Sequence, residues 1–484
     1  MKTRSLKQNA VLSGIRQMCG ILFPLITFPY VSRVLRDDGF GQYSFSWSIV
    51  SYFVLLAGLG ISTYAIREGA RIRDDKAKIS QFCSEAFTIN VVTTFIAFVI
   101  LIVLTLSIPK IRVYSLLVFI QSLSIILNLI GRDWINSIYE DYFYITIRYI
   151  VIQIFSLILM FVCIKTSADL WKYCVITVFS SFGGNIPNIF YVNKYTKIHI
   201  VKHPNFKKHM RPMLVLFVTQ IAISIYVNAD ITMLGFFSDD STVGIYSLSS
   251  KIYSMIKTIV NAMVIVTLPR MTYIIDNSPD KYCETLKKVC SYLFIILMPI
   301  ACGVFMLSKE VILIVGGSEY QTGSVALKIL SGAMIFAVFC SFCMNSILIA
   351  HRKEKDCLKA TTISALINVV LNLFALPLLG MNGAAVTTII SEAVNLLMLL
   401  YSSKKVVSLS FFELKNAIQC IVACSAIILA CLGVQYLGFN IIATFIVSFI
   451  LSVIGYFLIL LLTKNIYIID ALKSVRNKVS QRRS

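Results

Sequence analysis

Five basic residues stand in stretches that are otherwise apolar: Arg16, Arg148, Lys251, Lys257 and Lys328. At the centre of a hydrocarbon layer each would cost ~2.5–3.5 kcal/mol on insertion scales, so such a cation pairs, snorkels or faces water. Lys251 and Lys257 belong to a longer pattern. Ser247, Ser250, Lys251, Ser254, Lys257, Thr258 and Asn261 recur at helical spacing and form one polar face. Lys257 falls near the middle of that stretch, and a rise of about 1.5 Å per residue leaves its side chain little reach to either surface. Ser13, Arg16, Gln17 and Gly20 make a comparable stripe, followed by Pro24 and Pro29 as bend points. Arg148 is followed on its own stretch by Gln153 and Ser156. Asp230 and Glu392 are the acidic counterparts; each can pair with a buried Lys or act as a proton- or sodium-coupling group. Asn228, Asn368 and Asn372 add hydrogen-bonding capacity. Basic walls with uncharged hydrogen-bonding groups suit an anionic substrate that also carries hydroxyls, such as phosphate or diphosphate on a sugar. The candidate substrate-binding residues are therefore Arg16, Gln17, Arg148, Asn228, Lys251, Lys257 and Asn261, with Asp230 and Glu392 as candidates for ion coupling.

The elements that must hold these residues are membrane helices. With 58% hydrophobic and 14% charged residues over 484 positions, and a mean hydropathy of +0.82, the chain needs lipid as its solvent. A hydrocarbon core ~30 Å thick takes roughly 20 apolar residues per helix. Apolar runs between charged or Pro/Gly-rich breaks give about fourteen spans, near residues 10 to 33, 40 to 66, 82 to 107, 113 to 138, 145 to 165, 169 to 193, 213 to 236, 244 to 274, 285 to 308, 323 to 349, 357 to 380, 382 to 402, 417 to 437 and 438 to 463. The joints at Met381 and Leu437 are tight enough that one kinked helix would read as two. The first run is too long for a cleaved signal and is expected to stay in the mature chain. Of the 44 Lys and Arg, 32 lie on the termini and even-numbered connections, 7 on the opposite connections and 5 inside spans. That bias places both termini in the cytoplasm and accounts for the +21 net charge without nucleic acid. From Lys464 to Ser484, Ile466, Ile469, Leu472 and Val475 alternate with Lys473, Arg476, Lys478, Arg482 and Arg483, the pattern of an amphipathic helix on an anionic leaflet. The thirteen cysteines sit mostly in apolar runs and read as small buried hydrophobes; no metal site, disulfide framework or cofactor is expected.

The chain also repeats itself. Gly41-x-Tyr43-Ser44-x-Ser46-x-x-Ile49 returns as Gly244-x-Tyr246-Ser247-x-Ser249-x-x-Ile252, each copy after an acidic pair, Asp37-Asp38 or Asp239-Asp240. Asn136-Ser137-Ile138 returns as Asn345-Ser346-Ile347. Both echoes relate spans six apart, so the copies enter the membrane in the same direction, a parallel repeat. The fold expected is all-α: two pseudo-symmetric six-helix lobes around a central cavity, plus two C-terminal helices. The divisions are residues 1–193 for the N-terminal lobe, 194–212 for a basic cytoplasmic linker, 213–402 for the C-terminal lobe, 403–463 for the added helices and 464–484 for the basic tail.

Four stretches carry a family likeness: Phe28-Pro29-Tyr30-Val31-Ser32-Arg33-Val34-Leu35 leading to Gly41-x-Tyr43; Asp133-Trp134 through Glu140 to Ile145-Thr146-Ile147-Arg148; Asn228-Ala229-Asp230-Ile231-Thr232-Met233-Leu234-Gly235 followed by Val243-Gly244-Ile245-Tyr246; and Asn382-Gly383-Ala384-Ala385. In this order and spacing the chain resembles the Wzx-type polysaccharide flippases of the multidrug/oligosaccharidyl-lipid/polysaccharide exporter superfamily. The resemblance implies a V-shaped pair of lobes around a hydrated cavity. It also implies an undecaprenyl-diphosphate-linked oligosaccharide as substrate, moved from the cytoplasmic to the outer leaflet of a bacterial cytoplasmic membrane. Arg148, Asn228 and Asp230 fall in the matching stretches, and polysaccharide polymerase and ligation machinery are the partners it suggests. Ile138-Tyr139 stand where the family pattern has a Gly before the acidic residue, so no role carries over to Glu140. A drug or cation antiporter of the same superfamily is disfavoured by five basic against two acidic residues within spans. A membrane enzyme such as a polysaccharide polymerase is disfavoured because every outer connection is short.

Overall fold

The computed structural model describes residues 6–408, 411–470 and 472–473, and all regular structure among them is helical. The helices are α1 (Leu6–Gly58), α2 (Ile61–Ile72), α3 (Lys76–Ser107), α4 (Pro109–Arg112), α5 (Ser115–Gly131), α6 (Asp133–Ile138), α7 (Tyr142–Cys163), α8 (Leu170–Phe182), α9 (Asn185–Tyr191), α10 (Phe206–Phe237), α11 (Asp240–Ile265), α12 (Thr267–Asn277), α13 (Tyr282–Met306), α14 (Ser308–Val315), α15 (Gly323–Phe342), α16 (Glu354–Lys404), α17 (Leu414–Tyr436) and α18 (Ile441–Leu462), with a π-helical stretch at Cys343–Ile349. Most of the basic tail, residues 474–484, lies outside the described residues.

Among the described residues, ten helical stretches are long and apolar enough to cross a membrane. Two of them hold a pair of expected spans each. Within α1 the backbone leaves helical geometry at Arg36 (φ 59°, ψ 179°), between spans 10 to 33 and 40 to 66, while it stays helical through Pro24 and Pro29. Within α16 the same happens at Gly380 (φ 54°, ψ −136°), three residues after Pro377, where a residue without Cβ meets no steric penalty. The joint at Leu437 separates two helices: Gly438 takes φ 67° and the Asn440 side chain caps α18 by accepting the Ala443 N–H at 2.8 Å. Spans 113 to 138 and 169 to 193 are assembled from shorter pieces, α5 with α6 and α8 with α9. Large apolar side chains stay exposed along the helices, among them Phe95 and Val103 on α3, Leu429 on α17 and Phe449 on α18. Such a surface is stable only against lipid.

The helices divide into two compact units, Met1–Gly244 and Ile245–Ser484. In the first, α10 packs on the second half of α1: a Cβ at Gly235 would lie 2.0 Å from the Phe45 ring, and Thr232 Oγ1 donates to Ser48 Oγ at 2.9 Å. The two copies of the glycine motif meet here. A Cβ at Gly41 would lie 1.8 Å from the Asp240 carbonyl oxygen, and one at Gly244 would lie 2.0 Å from the Asp37 carbonyl oxygen. The contact is reciprocal, as a duplicated element would make it. Its flanking carboxylates are used locally: Asp37 accepts from the Ser241 hydroxyl, and Asp240 Oδ1 accepts from Tyr114 OH at 2.6 Å.

The connection into α10 is bound along α3. Ser80 Oγ donates to Lys197 O (2.7 Å), His199 N donates to Ser84 Oγ (3.2 Å) and Val201 N donates to Thr88 Oγ1 (2.9 Å). Four helical residues rise about 6 Å and two extended residues span about 6.6 Å, so hydroxyls at i, i+4 and i+8 match every second residue of the extended chain. At its end His209 is fully buried, with Nε2 2.7 Å from Glu85 Oε2 and Nδ1 2.8 Å from Tyr64 OH.

In the second unit, α17 and α18 pair with each other and with α13 around Cys420, Cys424, Ile427 and Tyr456; Tyr456 OH donates to Ile295 O at 3.1 Å. One cysteine spacing escapes the reading of cysteines as isolated hydrophobes: Cys340-Ser341-Phe342-Cys343 is a CxxC. Both thiols are free and buried, and no His/Cys/Asp/Glu cluster among the described residues could hold a metal.

Candidate functional site

In the first unit α1, α2, α3, α5, α6, α8 and α9 surround a cavity of about 210 Å³. Each helix contributes a polar residue to its wall. Asn90 of α3 spends its amide on Ala57 O (2.8 Å), and Asn185 of α9 spends its own on Leu127 O (2.9 Å), which orients both carboxamides and turns their remaining atoms to the cavity. Asn128 of α5 lines the wall exposed and makes no hydrogen bond among the described residues. Ser62 and Ser181 add hydroxyls, and Trp134 and Phe182 add aromatic surface. Arg16 of α1 also lines the cavity, with its guanidinium 5.4 Å from the centre of the Tyr149 ring. Gln17, its neighbour in the predicted stripe, is exposed on α1.

Arg148 lies behind this wall. Its Nη2 is 2.7 Å from both Oδ1 and Oδ2 of Asp133, and its side chain is 8% exposed against 37% for Asp133. Asn188 Nδ2 reaches the same carboxylate at 3.0 Å and Asn136 Oδ1 at 2.8 Å. The cation that the sequence offered for substrate is thus committed to holding a cavity-lining carboxylate, with Nη1 buried and without a hydrogen-bond partner among the described residues. Asn228 turns inward on its own helix, donating to Ser224 O (3.1 Å) and Oγ (3.2 Å), and Asp230 is buried on the same helix.

In the second unit the polar face of α11 forms as its spacing predicts. Lys251 is exposed on it, and Lys257 Nζ lies 3.9 Å from Glu392 Oε1 on α16 and 4.7 Å from the centre of the Tyr253 ring. Glu392 is nearly closed off, at 4% exposure, and Lys257 is partly open, at 24%. Asn261 Oδ1 is buried without a hydrogen-bond partner among the described residues. Along α16, Thr387 Oγ1 donates to Asn372 Oδ1 (2.7 Å) and Asn372 Nδ2 to Asn368 Oδ1 (3.2 Å), a closed polar chain between the two halves of the kinked helix. Lys328 lies over the Phe305 ring at 5.9 Å.

The family described as polysaccharide biosynthesis protein matches residues 6–275, more than half of the chain. The chain belongs to this family. A relative named O-antigen transporter, from Escherichia coli (strain K12), is 22% identical to this polysaccharide biosynthesis protein over 405 residues, covering 82% of this chain and 96% of the relative. The low-salt glycan biosynthesis flippase Agl15 of Haloferax volcanii is 26% identical over 195 residues, 40% of this chain and 41% of the relative. Among solved structures, the lipid II flippase MurJ in an inward closed conformation superposes with a TM-score of 0.73 at 16% identity, covering 96% of this chain and 99% of that one. That likeness is one of fold. The chain is a multi-pass membrane protein of a polysaccharide biosynthesis family.

Of the residues that line this cavity, the sequence reading singled out Arg16 and did not single out Asn90, Asn128, Asp133 or Asn185. They stand on four different helices, so no periodic stripe within one helix joins them; Asp133-Trp134 was visible only as part of the family pattern.

Proposed function

We propose that this protein is a flippase that carries undecaprenyl-diphosphate-linked oligosaccharide repeat units across the bacterial cytoplasmic membrane, for O-antigen, capsule or exopolysaccharide assembly, by alternating access. The observation that carries the reading is the α11 face, where the basic side chains of Lys251 and Lys257 stand beside uncharged hydrogen-bonding groups. Compact, strongly hydrated ammonium groups suit a diphosphate as point charges, and the prenyl tail needs no protein cavity because lipid solvates it. Arg16, Gln17, Asn228 and Asn261 are proposed to act with them on the head group, Arg148 indirectly through Asp133, and Asp230 and Glu392 in ion coupling. The proposal includes six-helix lobes at 1–193 and 213–402 joined by the 194–212 linker, the added helices at 403–463, and both termini in the cytoplasm on the Lys and Arg bias. Polysaccharide polymerase and ligation machinery would receive the product. An organic-cation antiporter is less well supported, since five basic residues stand against two acidic ones within the spans.

Deletion and rescue tests the reading. Loss of the gene should remove surface polysaccharide and leave lipid-linked repeat units in the cytoplasmic leaflet, reversed by wild type and not by Lys257→Ala. Normal surface polysaccharide with altered drug tolerance would replace the flippase by the antiporter.

A further inference from the structure

We infer that the cavity of the first unit is a subsite for a single uncharged sugar ring of the carried glycan, separate in chemistry from the cations of α11. The inference rests on the flippase reading and adds what the substrate presents to this cavity. Its wall offers carboxamides at Asn90, Asn128 and Asn185 and hydroxyls at Ser62 and Ser181. Carboxamides and hydroxyls each donate and accept, the requirement of a polyol whose hydroxyls do both. Trp134 and Phe182 supply flat apolar surface of the kind that the C–H face of a pyranose covers. At about 210 Å³ the space is below the ~300–1,000 Å³ of clefts that enclose drug-sized ligands, which limits it to one ring.

Charge separates sugar from phosphate here. Asp133 is the carboxylate of the wall and is paired with the Arg148 guanidinium 2.7 Å away, so the wall's acid is matched by a base behind it. A diphosphate entering would meet one cation, Arg16, and the Asp133 oxygens. A neutral ring meets acceptors at Asp133 and donors and acceptors at the three Asn. Asn128 is the free reader: it is exposed in the wall, and among the described residues nothing is bonded to it, so any hydrogen bond it makes to the ligand costs only water.

Trp134 supplies the test. The chain has three tryptophans, so Trp47→Phe with Trp171→Phe leaves Trp134 as the sole indole emitter in the full-length protein, with the cavity wall unaltered. Two probes are added in nanodiscs: the lipid-linked repeat unit extracted from the deletion strain, and sugar-free undecaprenyl diphosphate. Binding of each is followed independently by native mass spectrometry. The inference expects Trp134 emission to shift with the glycan lipid and not with the sugar-free lipid. It also expects Asn128→Leu to weaken glycan-lipid binding by about tenfold, the worth of one to two hydrogen bonds, while leaving sugar-free lipid binding as it was. If both lipids bind and Trp134 is silent, or responds equally to both, the sugar subsite is wrong and the flippase reading stands. If neither lipid binds, the flippase reading fails and the subsite with it.

Discussion

Removing either partner of the Asp133–Arg148 pair should give unequal losses, and the inequality follows from their burial. At 2.7 Å the gross attraction is roughly 6 kcal/mol at an effective dielectric of ~20, but what a variant reports is the cost of the partner left behind. Asp133→Ala strands a guanidinium that is 8% exposed and already has one unpartnered buried nitrogen. An uncompensated buried charge costs ~3–5 kcal/mol. Arg148→Met keeps the packing volume and leaves a carboxylate that is 37% exposed, open to cavity water and still held by Asn188 at 3.0 Å, which is closer to the ~1 kcal/mol of a surface pair. At ~2–4 °C per kcal/mol for a body of this size, the first variant should lose roughly 6–20 °C and the second about 2–4 °C. Nine of the thirteen free cysteines are buried, so a maleimide dye that lights on thiol exposure reads unfolding in detergent directly. Adding Arg148→Met to Asp133→Ala should recover part of the loss. Equal losses, or a larger one for Arg148→Met, would refute the burial argument.

A like asymmetry should appear in the second unit: Lys257→Met, which removes the base facing the nearly closed Glu392, should destabilise more than Glu392→Gln, measured by the same thiol assay. Gly41→Ala, whose new Cβ falls 1.8 Å from Asp240 O, should cost ~1–3 kcal/mol or more and fail to restore surface polysaccharide, while Gly14→Ala, with nothing within 4 Å, should restore it fully. His209→Leu leaves Glu85 Oε2 and the Tyr64 hydroxyl without their His209 partner at ~1–3 kcal/mol each, Glu85 Oε1 keeping Gln81, and partial proteolysis at the 194–205 connection should report this as faster cleavage. Burial by itself would raise the Asp141 carboxyl, but hydrogen bonds from the Tyr191 and Tyr195 hydroxyls and the Tyr144 amide outweigh it and hold it below its ordinary value. The unfolded chain then takes the proton first, so this contribution is complete above the unfolded value of about 3.9 and is lost as pH falls through the folded one. Asp141→Asn should therefore flatten the fall in thermal stability on acidification below about pH 4.

What could be read from the residues alone depended on periodicity. The apolar runs became helices because in lipid the backbone can satisfy itself in no other local way, and the α11 stripe placed Lys257 inward because its spacing is 3.6 residues. The glycine motif was legible as a repeat, but not as a contact: nothing in Gly41 or Gly244 states that the two copies touch. The hydroxyls at Ser80, Ser84 and Thr88 read as an ordinary polar face of α3, and their match to every second residue of 197–201 exists only once both segments have direction. Arg148 was singled out for its position, and its commitment to Asp133 was hidden because α6 is six residues long and its orientation is set by packing. The break in α1 fell at Arg36 and not at its prolines, since a helix bent at Pro keeps its backbone angles while a non-Gly residue at φ 59° needs its surroundings to hold it.

The central claim is movement of a glycan head group across a bilayer, and vesicles test it most directly. Purified protein is reconstituted with labelled undecaprenyl-diphosphate-linked repeat units, and the fraction open to an impermeant glycosidase is followed with time. The flippase account predicts that accessibility rises from about half to nearly all of the label with the wild-type protein and stays near half with Lys257→Ala. Wild-type vesicles that remain at the level of protein-free vesicles, with an imposed proton or sodium gradient as without one, would contradict it.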